Sequence, residues 1–279
     1  MSSSTPDVST MKALQDFREH AGWGNHSLIR QNELIFSDAP DIIKGKGACN
    51  MKKTVLITGA TDGIGKALAI LLSKEYNLAL CGRDESKMRA LLQELGDCRV
   101  YSECLDITNG EKRHSFCANA KNEFGTVDVL VNNAGANTKK DKIVNINLED
   151  LRYMFELNCV SAVGMIQEIY PLMAEKQQGL IVNILSTCCL FNNPMTGSYS
   201  ASKDAMEGIS KILLKEVKAE NIGVCNVYPG GVDSNFRAAS KPQYLRPETV
   251  AKMIRNCIEN EEGCVHDIVI RPFIEDNMA

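Results

Sequence analysis

Long apolar runs and basic blocks are both missing from this sequence of 279 residues. No run approaches the roughly 18 apolar residues of a membrane-spanning helix, so we expect no membrane association. The net charge is −4 and no cluster of lysine or arginine stands out, which leaves no electrostatic case for nucleic acid as a partner. The N-terminus lacks the apolar core of a signal peptide, and Asp7, Asp16 and Glu19 argue against a mitochondrial presequence.

Paired cysteine spacing is also missing. The eleven cysteines are an odd number, without the pairs that are typical of metal sites. We therefore expect a reduced, cytoplasmic protein that uses cysteine as a small core residue and holds no metal. The length suffices for one large α/β domain and leaves too little for a second.

Residues 1–50 differ from the rest of the chain. They begin with Ser-Ser-Ser-Thr-Pro, contain the only tryptophan, Trp23, and end in the linker-like Lys-Gly-Lys-Gly of residues 44–47. We interpret residues 1–50 as a flexible N-terminal extension without a catalytic role, and residues 51–279 as the folded domain. The alternative is a docking segment that covers a subunit surface.

From residue 53 onward, short apolar strands alternate with amphipathic helices. Strands are predicted at 54–57, 78–81, 99–104, 127–131, 179–185, 223–227 and 265–270, and helices from residue 64 and at 85–95, 111–124, 148–175, 199–220 and 247–258. This alternation requires crossover connections, so it predicts a doubly wound α/β fold with a parallel sheet of about seven strands and helices on both faces. Ligands of such sheets bind beyond the carboxyl ends of the strands.

A glycine-rich turn joins the first strand to the first helix. It reads Thr58-Gly59-Ala60-Thr61-Asp62-Gly63-Ile64-Gly65. We expect Gly59 to permit the tight turn, Gly63 to let a ligand approach the backbone, and Gly65 to let helix and strand pack closely. The free N–H groups and the positive end of the helix dipole would then bind a pyrophosphate. The turn therefore predicts a dinucleotide site.

The end of the second strand bears on which dinucleotide binds. Enzymes that use the unphosphorylated cofactor usually place an acid there, whereas this chain has Cys81-Gly82 followed by Arg83. A guanidinium can pair with a 2′-phosphate, which favours NADP(H), with NAD(H) as the alternative. Asp84 complicates this prediction, because it either opposes the phosphate or caps the next helix. Arg83 could also be an ordinary solvated surface charge.

Polar residues at strand ends and on helix faces form a candidate reaction centre. Asn132-Asn133-Ala134-Gly135 ends the fourth strand, and Ser186 ends the fifth. Tyr199 and Lys203 are four residues apart, so they share one face of a helix. Asn158 is a poor helix former on the apolar side of a long helix, a departure that often marks function. Each of these residues also has a purely structural interpretation.

The tyrosine and lysine would make an acid–base pair. A phenol titrates near ~10, which is too high for efficient proton exchange at neutral pH. An ammonium about 4 Å away, at an effective dielectric constant near 20, favours the phenolate by roughly 4 kcal/mol. That energy corresponds to about three pKa units before desolvation offsets part of it.

In combination these motifs resemble the short-chain dehydrogenase/reductase family of single-domain, Rossmann-like enzymes, over about residues 53–272. The resemblance implies a catalytic tetrad of Asn158, Ser186, Tyr199 and Lys203. Tyr199 would be the general acid in reduction and the base in oxidation, and Lys203 would bind the nicotinamide ribose and lower the tyrosine pKa. Ser186 would hold the substrate oxygen, and Asn158 would position a water that leads protons to Lys203.

The same resemblance implies a set of cofactor-binding residues: Gly59, Thr61, Asp62, Gly63, Ile64, Gly65, Arg83, Asp106, Asn132, Ala134, Gly135, Tyr199, Lys203, Pro229, Gly230, Val232 and Ser234. Asp106 would face the adenine, and Pro229-Gly230 would run beside the nicotinamide. Ser234 stands where the family often has threonine, and the additional glycine, Gly231, is expected to loosen this loop. The implied reaction is metal-free hydride transfer between NADP(H) and a ketone, aldehyde or alcohol.

Several alternatives stay open on the sequence alone. Residues 137–141 (Asn-Thr-Lys-Lys-Asp) resemble a loop of 3-oxoacyl carrier-protein reductases, so acyl-thioester reduction is the second enzymatic hypothesis. A catalytically silent dinucleotide sensor on the same fold is the non-enzymatic one. The substrate pocket is predicted at residues 188–195 with a short lid at 233–245. Family members commonly pair through two long helices, so we expect a homodimer or homotetramer through 148–175 and 199–220.

Overall fold

The computed structural model describes residues 52–236 and 240–275, so the predicted extension of residues 1–50 lies outside the described residues. Seven parallel strands form a sheet in the order β3-β2-β1-β4-β5-β6-β7. They are β1 Thr54–Thr58, β2 Asn77–Gly82, β3 Val100–Cys104, β4 Val129–Asn132, β5 Gly179–Ile184, β6 Ile222–Pro229 and β7 Asp267–Ile270. The strand order reverses between β1 and β4, which confirms the doubly wound sheet and places its ligand crevice at their carboxyl ends.

Helices cover both faces of this sheet, as predicted. They are α1 Gly63–Leu72, α2 Glu85–Leu95, α3 Gly110–Phe124, α4 Leu148–Phe155, α5 Ser161–Lys176, α6 Gly197–Glu216 and α7 Pro247–Glu259. Successive residues of a strand point to opposite faces, so Val55 and Ile57 pack in one hydrophobic core and Leu56 packs in the other. Within the described residues, no helix is long and apolar enough to cross a membrane.

The long helix predicted at 148–175 is interrupted, which corrects the sequence prediction. A π-helical turn, Glu156–Val160, separates α4 from α5, and the Ser161 N–H closes it by donating to the Glu156 carbonyl. Such turns insert one extra residue into a helix and occur frequently at functional sites. Here the turn contains Asn158, which is buried.

A row of polar side chains crosses the carboxyl half of the sheet, and sequence reasoning did not predict it. Asn132, Asn183, Asn226 and Asp267 are register neighbours on β4, β5, β6 and β7. Asn132 Nδ2 donates to Asn183 Oδ1 at 3.0 Å, and Asn226 Nδ2 donates to Asp267 Oδ1 at 3.1 Å. Ser210 joins the two halves, since it accepts from Asn183 and donates to Asn226. Buried polar groups must be hydrogen-bonded to be tolerated, and the row fixes the relative heights of these strand ends.

Most of the described cysteines are core residues, as the sequence predicted. Ten of them lie in the described ranges as free thiols, and six are buried: Cys81, Cys117, Cys159, Cys188, Cys225 and Cys257. Burial raises the pKa of the Cys117 thiol to about 12, so this side chain acts as a small apolar group.

Candidate active site

The glycine-rich turn has the geometry that its sequence predicts. Gly59 has a φ of +64°, which a residue with a side chain rarely adopts. A Cβ on Gly65 would overlap the Gly59 carbonyl oxygen and lie 2.5 Å from Asn133 Nδ2. Only glycine therefore lets α1 approach the end of β1 so closely.

The first turn of α1 leaves N–H groups available to a ligand. Asp62 caps the helix by accepting the Gly63 N–H at 2.7 Å, and the Lys66 N–H donates to the Asp62 carbonyl at 3.1 Å. The N–H groups of Ile64 and Gly65 find no acceptor within the part of the chain that the structure describes. Together with the helix dipole, they make a site suited to an anion such as a pyrophosphate.

Asp62 also joins two residues that the sequence analysis missed. It forms an ion pair with Lys87, and Asn235 Nδ2 donates to both carboxylate oxygens at 3.0 and 3.2 Å. Burial raises the pKa of Asp62, but the hydrogen bonds from Lys87, Asn235 and the Gly63 N–H outweigh this and leave the pKa below its ordinary value. Lys87 lies in the first turn of α2, directly after the Arg83-Asp84 pair that the sequence analysis singled out.

Two cations, Arg83 and Lys87, lie near the β2 carboxyl end, together with the carboxylates of Asp62 and Asp84. Arg83 is exposed and its Nη1 donates to the Tyr153 hydroxyl at 3.1 Å. Asp84 accepts the Lys87 N–H at 3.0 Å and caps α2, so the capping interpretation is confirmed. Thr61 packs against Gly82, where a Cβ would lie 2.6 Å from its methyl group.

Asp106 follows β3 and organises its own turn. Its carboxylate accepts the Thr108 N–H at 3.0 Å and the Thr108 hydroxyl at 2.8 Å. The backbone hydrogen bond is the largest cause of a lowered Asp106 pKa, so the carboxylate stays charged at neutral pH.

Thr58 fastens the loop after β4 to the glycine turn. Its Oγ1 accepts the N–H groups of Asn133 at 3.0 Å and Ala134 at 2.9 Å. Asn133 Nδ2 donates to the carbonyls of Thr58 and Gly59, while Asn132 belongs to the polar row. Both side-chain Nδ2 groups thus donate inside the protein, whereas Asn132 Oδ1 is buried without a hydrogen-bond partner among the described residues. That Asn132, Ala134 and Gly135 line a cofactor stays a prediction.

Asn158 ties this loop to α6. Its Oδ1 accepts the Ala136 N–H at 2.9 Å, and its Nδ2 donates to the Ala136 carbonyl at 3.0 Å and to Ser202 Oγ at 2.9 Å. Ser202 Oγ in turn donates to the Tyr199 carbonyl at 2.8 Å. The π-helical turn therefore aims Asn158 at a site built from two distant segments.

Lys203 and Asn158 converge on the same point. A Cβ on Gly135 would lie 2.8 Å from Asn158 Oδ1 and 3.2 Å from Lys203 Nζ, so a side chain there would block both groups. Lys203 is 4% exposed, and its Nζ donates to the Ile184 carbonyl at 2.8 Å. Burial lowers its pKa.

Tyr199 and Ser186 are the two remaining residues of the predicted tetrad. Tyr199 lies in the first turn of α6, four residues before Lys203, and its ring centroid is 5.9 Å from that of Phe236. Ser186 follows the end of β5, and its Oγ accepts the Cys188 N–H at 3.2 Å. Phe236 belongs to the predicted lid and was not among the predicted site residues.

The segment after β6 completes the rim. Pro229 ends β6, and Val232 pairs with Leu245 in an isolated bridge. Ser234 approaches the glycine turn, since a Cβ on Gly63 would lie 3.4 Å from its Cβ. The predicted loop residues thus follow the carboxyl ends of β1 through β6, while Asn158, Tyr199 and Lys203 lie on helical segments.

Comparison with known proteins agrees with this fold. A family model described as short chain dehydrogenase matches residues 53–245, more than half of the chain. An NADPH-dependent pterin aldehyde reductase of Arabidopsis thaliana is 30% identical over 221 residues, which are 76% of this chain and 91% of that protein.

Two solved structures show the same fold. An alcohol dehydrogenase from the archaeon Thermococcus sibiricus, complexed with 5-hydroxy-NADP, is 24% identical with a TM-score of 0.73, over 80% of this chain and 97% of that one. An actinorhodin polyketide ketoreductase with NADPH is 25% identical with a TM-score of 0.73, over 79% of this chain and 96% of that one.

Proposed function

The chain belongs to the short-chain dehydrogenase family of oxidoreductases, and from this premise we propose that it interconverts a ketone or aldehyde and an alcohol with NADP(H). The observation that carries the proposal is the convergence of Lys203 Nζ and Asn158 Oδ1 beside Gly135, one helical turn from Tyr199. The buried ammonium would face the Tyr199 phenol, and such a pair can move one proton.

The residues present fit a dinucleotide. Gly59 and Gly65 let β1 and α1 pack closely, and the N–H groups of Ile64 and Gly65 in the first turn of α1 are available to a pyrophosphate. Ala134, Gly135, Val232 and Ser234 would border the rest of the cofactor. NADP(H), when bound, supplies or accepts the hydride.

The protein residues would handle the proton and the substrate oxygen. Lys203 carries a positive charge that favours the phenolate of Tyr199, so Tyr199 can give a proton to a carbonyl oxygen and take it back from an alcohol. The Ser186 hydroxyl would hold that oxygen. Asn158 would keep the loop after β4 and the start of α6 at a fixed separation.

The preference for the phosphorylated cofactor rests on charge. Arg83 and Lys87 are cations at the end of β2, and Asp84 is committed to capping α2. The Arabidopsis relative is NADPH-dependent by its name. We propose that both cations face the 2′-phosphate, with NAD(H) as the weaker alternative.

A panel of ketones, aldehydes and alcohols assayed with NADPH, NADH and their oxidised forms tests this function. Tyr199→Phe keeps the ring beside Phe236 but removes the proton, so we expect turnover to fall by about 10²- to 10⁴-fold with cofactor affinity unchanged. Retained turnover would contradict the role of Tyr199. Dinucleotide binding without turnover on any substrate would favour the silent sensor instead.

Reduction of a 3-oxoacyl thioester is the second candidate, and exposed apolar side chains beside the site favour it. Ile143, Val144 and Leu148 are 70%, 87% and 60% exposed. Ile143 packs on Gly197 at the start of α6, where a Cβ would overlap its side chain. These residues could receive an acyl chain. Activity on acetoacetyl thioesters that exceeds activity on simple ketones would select this candidate.

We also propose a cytoplasmic homodimer or homotetramer. Free and mostly buried thiols suit a reducing compartment. Val160, Ile209 and Ile212 are exposed apolar residues in the two segments that were predicted to pair, 148–175 and 199–220.

A further inference from the structure

We propose that Glu275, in the segment that follows β7, is a positioning residue for the loop at residues 229–232. This inference rests on the proposed function and on the sequence prediction that Pro229-Gly230 runs beside the nicotinamide. Glu275 would act through the loop backbone, without touching substrate. Arg271 would extend its influence to Phe191 in the predicted substrate pocket.

The loop is fastened to the C-terminal segment by backbone contacts. The Gly231 N–H donates to Glu275 Oε1 at 2.6 Å, and the Gly230 N–H donates to the Ile270 carbonyl at 2.8 Å. On the other side, the Leu245 N–H donates to the Gly231 carbonyl at 3.0 Å. Both polar groups of Gly231 are therefore held, one of them by a carboxylate, and charged acceptors make the stronger hydrogen bonds.

The paired glycines make room for this arrangement. A Cβ on Gly230 would overlap Glu275 Oε2. A Cβ on Gly231 would lie 2.6 Å from the Tyr244 ring and 2.8 Å from Glu275 Oε1. The second glycine was expected to loosen the loop, but the structure shows it packed and hydrogen-bonded. Its function here is to admit the carboxylate.

Arg271 connects this carboxylate to the substrate side. Its Nε donates to Glu275 Oε2 at 3.2 Å, and the two side chains are 14% and 18% exposed. The guanidinium carbon lies 4.6 Å from the centroid of the Phe191 ring, a cation–π distance. A pair this sheltered from water is screened less than a surface pair. One ion pair thus spans the segments after β5, β6 and β7.

The test compares Glu275→Ala and Glu275→Gln with Glu262→Ala, which removes an exposed carboxylate elsewhere. Amide hydrogen exchange across residues 229–233 is measured by mass spectrometry, and NADP⁺ dissociation constants by titration. Glu275→Ala should speed exchange at Gly231 and weaken NADP⁺ binding by about tenfold, because the N–H loses its charged acceptor. Glu275→Gln keeps an oxygen acceptor, so it should restore most of the slow exchange at Gly231 and most of the NADP⁺ affinity. Glu262→Ala should match the wild type in both measurements.

The exchange rates and the NADP⁺ affinities together decide whether Glu275 positions the loop. Exchange and affinity that stay at wild-type values in Glu275→Ala would overturn the proposal. Faster exchange with unchanged NADP⁺ affinity would reduce Glu275 to a structural role and also overturn it. If the wild type binds no dinucleotide, the proposed function fails, whereas the exchange comparison still reports whether Glu275 holds the loop. Gly231→Ala should reproduce the Glu275→Ala result, and Gly263→Ala, where a Cβ meets nothing within 4 Å, should not.

Discussion

The single residue Lys203 lowers the stability of the fold, because its ammonium is buried. It is 4% exposed, and the hydrogen bond recorded for its ammonium within the described ranges is to a backbone carbonyl, Ile184 O. Transferring an ammonium from water to such a place is unfavourable, which is why its pKa is lowered. A residue with this cost fits the general trade of stability for activity at catalytic sites.

Replacing Lys203 by Met should separate stability from activity. Turnover should fall by at least about 100-fold, because the charge beside Tyr199 is lost. The folded-state pKa of Lys203 lies below its unfolded value, so between the two the unfolded chain binds more protons and this lysine adds stability as pH rises. Chemical denaturation from pH 7 to pH 10 should therefore show the wild type gaining stability relative to Lys203→Met. If the unfolding free energies of the wild type and Lys203→Met differ by the same amount from pH 7 to pH 10, the lowered pKa is contradicted.

Candidate site residues could be predicted where a reactive side chain type occurs at a spacing that is typical of a helix or a strand end. Tyr199 and Lys203 are four residues apart on a helix, and the helix is there. Their supporting partners were not predictable. Thr58, Ser202 and Phe236 act through contacts with segments far away in the chain, and no local pattern marks such contacts. Asn158 was singled out because an amide on an apolar helix face needs an explanation.

At the scale of elements, the turn after β1 depends on the absence of one side chain. Gly65→Ala would force a Cβ against the Gly59 carbonyl, which only a shift of α1 or β1 can relieve. We expect a loss of about 1–3 kcal/mol of stability and a large loss of NADP⁺ affinity, measured by thermal unfolding and titration. Gly208→Ala, in α6 with open space around the new methyl, should stabilise by about 0.5–1 kcal/mol. Wild-type NADP⁺ affinity in Gly65→Ala would contradict the packing argument.

The turn after β2 should determine the choice of cofactor. Arg83→Ala and Lys87→Ala should each raise the KM for NADPH by about 5- to 30-fold, because each removes one charged hydrogen bond to the 2′-phosphate. The KM for NADH should change little. Lys252→Ala, an exposed lysine on α7, serves as the control. Equal effects on NADPH and NADH would show that these cations do not recognise the phosphate.

The interruption between α4 and α5 marks a limit of periodicity as a guide to structure. A hydrophobic repeat shows which residues face the core, and it continues across residues 148–175. One inserted residue at Glu156–Val160 changes the hydrogen bonding without removing the apolar face. Only the tertiary contacts of Asn158 with Ala136 and Ser202 show why the extra residue is there.

At the scale of the whole molecule, alternating strands and helices were enough to predict the sheet and its two helical layers. They did not predict the polar row of Asn132, Asn183, Ser210, Asn226 and Asp267, because its members look like ordinary breaks in apolar strands. Because its members are register neighbours, hydrogen bonds between their side chains help to fix the strand register, in addition to apolar packing. It thereby holds the ends of β4 and β5, which carry Gly135 and Ser186, at matching heights.

The proposed homodimer or homotetramer would be held together by exposed apolar side chains. Ile212 on α6 is 59% exposed and Val160 beside α5 is 47% exposed, in the helices that were expected to pair. Burying such side chains is worth about 1.5–3 kcal/mol each, and a two-fold interface counts each one twice. Ile212→Glu should therefore convert the oligomer to monomers in light scattering after size exclusion, with unchanged circular dichroism. Lys215→Glu, an exposed residue on the same helix, should leave the assembly intact; an Ile212→Glu protein that keeps its wild-type mass would place the interface elsewhere.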